Sequence, residues 1–161
     1  MLTTVHDLLF VRRRNFPSNT IVRCHAMRKD ERLGINSFRY FVYTALNPQQ
    51  TQYTIFPTPL ATSMTHPHTV HNAAAFMTEL GGQMSLFKLM YAAGPQGCFI
   101  LVRTRTRGVR ECLLLQTAYT AQKPVPSTCQ GVYLNHCPGY SFDLYHPTCK
   151  NLLRRNRQHG G

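Results

Sequence analysis

Apolar residues in this chain come in short bursts divided by turn formers and cations, and few bursts hold a clean period for long. Thr4-x-x-Asp7 has capping-box spacing and predicts a short helix ending near Arg14, where cations suit the helix dipole. Asn15-Phe16-Pro17-Ser18-Asn19 reads as a turn. Residues 20–24 form a short strand candidate, and Phe38 to Thr44 a better one, dense in aromatic and β-branched side chains. Tyr53 to Phe56 is another, ended by Pro57, and the prolines at 48, 57, 59 and 67 argue against long elements from 47 to 69. The strongest helical signals follow. Asn72 caps 73–80 with Gly81 as its stop, and 83–93 is a second helical stretch stopped by Gly94-Pro95. Cys98 to Val102 and Val109 to Gln116 read as buried strands joined by a basic turn, with Gly108 suited to positive φ. A helix over 109–121 is the alternative for the second of these. The sum predicts an α+β fold: small, loosely packed, with short strands, two to four short helices and long loops.

Pro124-Val125-Pro126 marks a boundary. The expected organisation is therefore a single domain or a poorly ordered chain over 1–161. Residues 124–161 are expected to form a flexible basic tail containing Cys and His. No stretch has the ~18 consecutive apolar residues of a membrane span.

Charge changes the picture most. The chain carries 18 basic and 6 acidic side chains, a formal net charge of +12. The middle, residues 41–87, holds no Lys or Arg. The cations gather in three clusters: Arg12, Arg13 and Arg14; Arg103, Arg105, Arg107 and Arg110; and Arg154, Arg155 and Arg157. Such clusters attract polyanions by counterion release, and guanidinium forks fit phosphates, so RNA or DNA is the expected partner. Phe38, Tyr40, Phe41 and Tyr43 are available for stacking bases, although core packing explains them better.

The six cysteines form no CxxC pair, and nothing at the N-terminus reads as a secretory signal. Reduced thiols and an intracellular home are the expectation. Cys129, Cys137, His146 and Cys149 supply enough ligands for a tetrahedral zinc site in the tail. In general design, a Cys/His tail beside basic residues resembles small cysteine-rich nucleic-acid-binding proteins. His66-Pro67-His68-Thr69-Val70-His71 resembles the HxHxDH run of the metallo-β-lactamase fold, with His66, His68 and His71 in register and Val70 where that family has Asp. That resemblance implies a metal-dependent enzyme. Six scattered acids, no Walker A loop and no complete nucleophile elbow argue against catalysis.

The expectation from sequence is thus a basic protein without enzymatic activity or recognisable function, readable as the product of a non-selected or overlapping reading frame. Short, proline-broken elements that disagree between propensity and pattern motivate it. The alternative is a non-enzymatic nucleic-acid-binding accessory protein with a Cys/His zinc site and no other cofactor.

Overall fold

A computed structural model describes residues 2–17, 24–45 and 53–150. Among them run β1 (Leu9–Arg14), β2 (Cys24–Arg32), β3 (Ser37–Ala45), β4 (Thr54–Ser63), β5 (Ala73–Phe76), β6 (Ser85–Ala93), β7 (Cys98–Thr104) and β8 (Arg110–Thr117). One α-helix, α1 (Ser127–His136), and a two-residue strand, β9 (Phe142–Asp143), follow. All pairings are antiparallel, and β2 to β8 are neighbours in chain order. β1 lies beside β8 and closes the ring by pairing Leu9 and Phe10 with Met27 and Ala26 of β2. Its far end, Arg13 and Arg14, pairs with β9 instead. The protein is an eight-stranded antiparallel barrel, which corrects the expected α+β fold.

The two stretches with the strongest helical signal are strands β5 and β6. Helix propensity lost to tertiary pairing: Ala73 to Phe76 bridges β4 and β6. In β6 a bulge between Leu89 and Tyr91 breaks the two-residue alternation. Its outer side is also covered, because Met90 and Tyr91 pack with α1 residues. A strand apolar on both faces and out of step with itself imitates a helical stripe. The N-terminal helix is likewise replaced, by a 3-10 turn at Leu2–Thr4 and then β1. β4 runs straight through Pro57 and Pro59. β5 pairs only with residues 61–63, so the prolines fall where β4 has a strand on one side alone. A missing N–H is tolerated at such an edge.

Inward side chains make the main core, with Leu9, Val11, Met27, Phe38, Tyr40, Leu60, Phe76, Phe87, Phe99, Leu101, Leu113 and Leu115 all buried. One end of the barrel is closed. Leu2 is buried there, and the residual space beside Leu2, Phe87, Leu89 and Leu101 is about 20 Å³, room for about one water. Outside, α1 lies over β6, β7 and β8 with Tyr133 buried against Ile100 and Leu114. Residues 144–149 cover β1, β2 and β3 around Phe10, Ala26 and Tyr43.

Three disulfides join barrel to covering segment: Cys24–Cys149, Cys98–Cys129 and Cys112–Cys137. No described cysteine is free. This overturns the reduced thiols, and with them the intracellular home, since such bonds persist in oxidising compartments. It also removes the zinc site. Cys129, Cys137 and Cys149 are spent in covalent bonds, and His146 instead contacts Thr148 through Nδ1 at 3.0 Å. Within the segment expected as a tail, residues 124–150 carry α1, β9 and those three cysteines, while 151–161 lie outside the described residues. No described helix is long and apolar enough to cross a membrane.

The β7–β8 turn holds Gly108 at φ 75° as expected, but Arg107 adopts φ 75° as well. A side chain with Cβ is strained there, whereas glycine is not. Arg107→Gly is expected to raise stability by roughly 0.5–1 kcal/mol in a urea titration. A loss of stability would show that the arginine side chain compensates for its backbone.

Candidate functional site at the barrel mouth

The end opposite Leu2 is open. Among the described residues it is built from 15–17 after β1, the β5–β6 loop and the β7–β8 turn. Phe16, Pro17, Thr78, Glu79, Gly81, Gly82, Gln83, Ser85, Arg103 and Arg105 enclose a cavity of about 450 Å³. That is within the usual range for small-molecule sites.

Strand register decides which charges reach it. In β1 the pairing with β8 shifts between Val11 and Arg13. Leu9 and Val11 face the core, and after the bulge it is Arg14, opposite Leu113, that turns inward. Arg13 points outward and donates to Gln130 of α1 at 2.9 Å. Arg14 is 6% exposed and stacks over the Phe16 ring at 5.8 Å. Burial pulls its guanidinium below the usual range, while Glu79 acts the other way.

Arg103 and Glu111 sit opposite one another across the β7–β8 hairpin. Arg103 Nε donates to Glu111 Oε1 at 3.1 Å, and its Nη1 donates to Ser85 Oγ at 2.8 Å. Its guanidinium lies 4.6 Å from the Phe16 ring centre and 5.1 Å from that of Phe87. Arg105 Nε donates to the same Glu111 oxygen. One buried carboxylate therefore serves two guanidiniums.

His25, inward on β2, lies near Arg14 and Thr78 and is 5% exposed. Burial and the Arg14 charge pull its imidazole down to about 3, against a hydrogen bond to the Thr78 backbone. It is neutral at physiological pH. Deeper in the barrel, burial pushes the Tyr40 phenol up to about 12.

Of the arginines singled out in the sequence, Arg14, Arg103 and Arg105 meet at this mouth. Arg12 donates to the Ala121 carbonyl and lies over the Tyr145 ring, and Arg13 faces α1. Arg107 is in the exposed turn, and Arg110 lies 3.4 Å from His136 Nδ1. Arg154, Arg155 and Arg157 lie outside the described residues. Around the β7–β8 turn Arg105, Arg107 and Arg110 are exposed, whereas Arg103 is half-buried and Arg14 buried. His66, His68 and His71 lie between β4 and β5 at the closed end. His71 contacts Thr62 Oγ1 at 2.8 Å, and no group of three metal-ligating side chains occurs among the described residues.

His25, Glu79, Ser85, Glu111 and Phe16 escaped the sequence reading. Arg103 and Glu111 are placed symmetrically about Arg105 to Val109, a turn one residue longer than the one read from the sequence, and that extra residue decides the cross-strand pairing. His25 carries no comparable signal.

An eight-stranded up-and-down barrel closed at one end, with a lined cavity at the other, defines the small-ligand-binding barrels of lipocalin type. The model of the tick histamine-binding protein family matches residues 13–151. The chain belongs to that family. No curated protein matches it in sequence. Among solved structures it is similar to Japanin from Rhipicephalus appendiculatus bound to cholesterol, with a TM-score of 0.65 and 12% identity. The alignment covers 91% of this chain and 97% of Japanin's. These findings overturn both the non-selected reading frame and the nucleic-acid-binding accessory protein, and with the latter RNA or DNA as partner.

Proposed function

We propose that this is a secreted, non-enzymatic protein that sequesters one small molecule in the mouth cavity of its barrel. The observation that carries the reading is the cavity itself, about 450 Å³ with charged and aromatic walls at the open end of the barrel. The three disulfides support secretion. Histamine is the ligand in the family's name, and cholesterol is bound by Japanin. Below the mouth the Phe76 and Phe87 rings stack at 5.1 Å, and a cavity of about 450 Å³ suits a compact ligand.

The test uses 1-anilinonaphthalene-8-sulfonate as a fluorescent probe. One probe per chain is expected to bind the wild type, and Ser85→Trp, which fills the cavity from β6, is expected to weaken binding at least tenfold. Near-ultraviolet circular dichroism checks that the variant keeps its fold. Unchanged binding in a folded Ser85→Trp protein would place the ligand elsewhere.

A further inference from the structure

We infer that the mouth cavity recognises its ligand by an oxyanion, a carboxylate, sulfonate or phosphate on a compact molecule, held by Arg105 with support from Arg103. The inference rests on reading this cavity as the ligand site.

The argument is a count of charges and of free donors. Among the described residues, three guanidiniums, Arg14, Arg103 and Arg105, and two carboxylates, Glu79 and Glu111, stand around the mouth. Glu111 is shared by two arginines through one oxygen, so that triad keeps one positive charge in surplus. Glu79 lies in the field of Arg14. An incoming ammonium would compete with Arg14 for Glu79 and would meet two further cations across the cavity.

An anion meets the opposite situation. Arg103 has its Nε on Glu111, its Nη1 on Ser85 and its plane against Phe16 and Phe87. It is fixed. Arg105 is anchored by Nε alone and lines the cavity, and its two terminal nitrogens have no hydrogen-bond partner among the described residues. Those nitrogens are the paired donors that grip an oxyanion in bidentate fashion. Holding Nε on Glu111 preorganises the fork, so little rotamer freedom is lost on binding. The net charge of +12 adds a long-range field that draws anions in.

The experiment compares two probes with the same aromatic rings. 1-Anilinonaphthalene-8-sulfonate carries a sulfonate, and N-phenyl-1-naphthylamine does not. The anionic probe is expected to bind at least tenfold more tightly to the wild type. In Arg105→Gln that ratio is expected to fall fivefold or more. Glu111 retains Arg103 in this variant, so no buried carboxylate is stranded. Arg107→Gln, in the same turn but outside the cavity, is the control for non-specific attraction to a basic surface and is expected to keep the ratio.

Benzoate should displace the anionic probe, while histamine should not. If inorganic phosphate displaces it equally well, the site takes a free oxyanion. If benzoate alone competes, it takes an anion borne on an organic body. Equal affinity for the two probes, an unchanged ratio in Arg105→Gln, or stronger competition by histamine than by benzoate would overturn the inference while leaving the cavity as ligand site. Failure of both probes to bind would overturn both.

Discussion

Replacing Cys24 and Cys149 together by alanine is expected to remove about 5 kcal/mol of folding stability, more than loss of either other disulfide. The bond spans 125 residues, against 31 for Cys98–Cys129 and 25 for Cys112–Cys137. Closing a loop of that size restricts the unfolded chain by about 5 kcal/mol on the chain-entropy model, and the shorter loops by roughly 3.5 kcal/mol each. Against a total of about 5–15 kcal/mol for a domain, the longest bridge decides whether the barrel stays folded. The native state points the same way. Cys24 lies at the start of β2, opposite Ala45 of β3, and Cys149 ends the segment that covers that side. Tyr53 donates to the Cys149 carbonyl at 2.7 Å, and Tyr145 packs edge-on against Phe10. Losing the bridge frees these contacts to detach from the wall. Guanidinium titrations of the three double-alanine variants would measure the ranking. A cost below about 2 kcal/mol for the Cys24/Cys149 pair would mean that the strap holds without its staple.

The same bridges show where the sequence was readable. Six is an even number of cysteines, which is the signal for a disulfide framework, but six cysteines allow fifteen pairings. Each pair joins a strand residue to one in 129–149, and only the folded barrel makes those residues neighbours. β3, β7 and β8 were legible because their apolar and β-branched runs are continuous and their turn carries glycine. β5 was not, since three alanines say helix until β4 and β6 flank them. The site was half legible. Arg14, Arg103 and Arg105 stood out as cations, yet their inward direction depends on the β1 bulge and on the hairpin register. Charge composition suggested polyanions on the outside, whereas the structure gathers Arg14, Arg103 and Arg105 at a cavity.

His25 is expected to make the barrel acid-labile on its own account. Burial first, and then the Arg14 charge, pull its imidazole from 6.5 down to about 3, and the Thr78 backbone only partly offsets them. Above 6.5 the residue is neutral in both folded and unfolded chains, so it contributes no pH dependence. Below 6.5 the unfolded chain takes up a proton that the folded one refuses. Stability therefore falls as pH drops from 6.5 towards 3. The slope reaches roughly 1.4 kcal/mol per unit only well below 6.5, where the unfolded imidazole is fully protonated, so the loss between 6.5 and 4.5 is about 2 kcal/mol. The comparison that isolates the imidazole is with His25→Gln. That variant keeps a donor for the Thr78 backbone, keeps all the acids and has nothing to protonate. Urea midpoints at both pH values should show the wild type losing about 2 kcal/mol more than the variant. Equal losses would mean that the imidazole accepts its proton inside the folded barrel. Water, or movement of Arg14, would then have to reach it, and the mouth would be wetter and looser than its packing against Phe16 indicates.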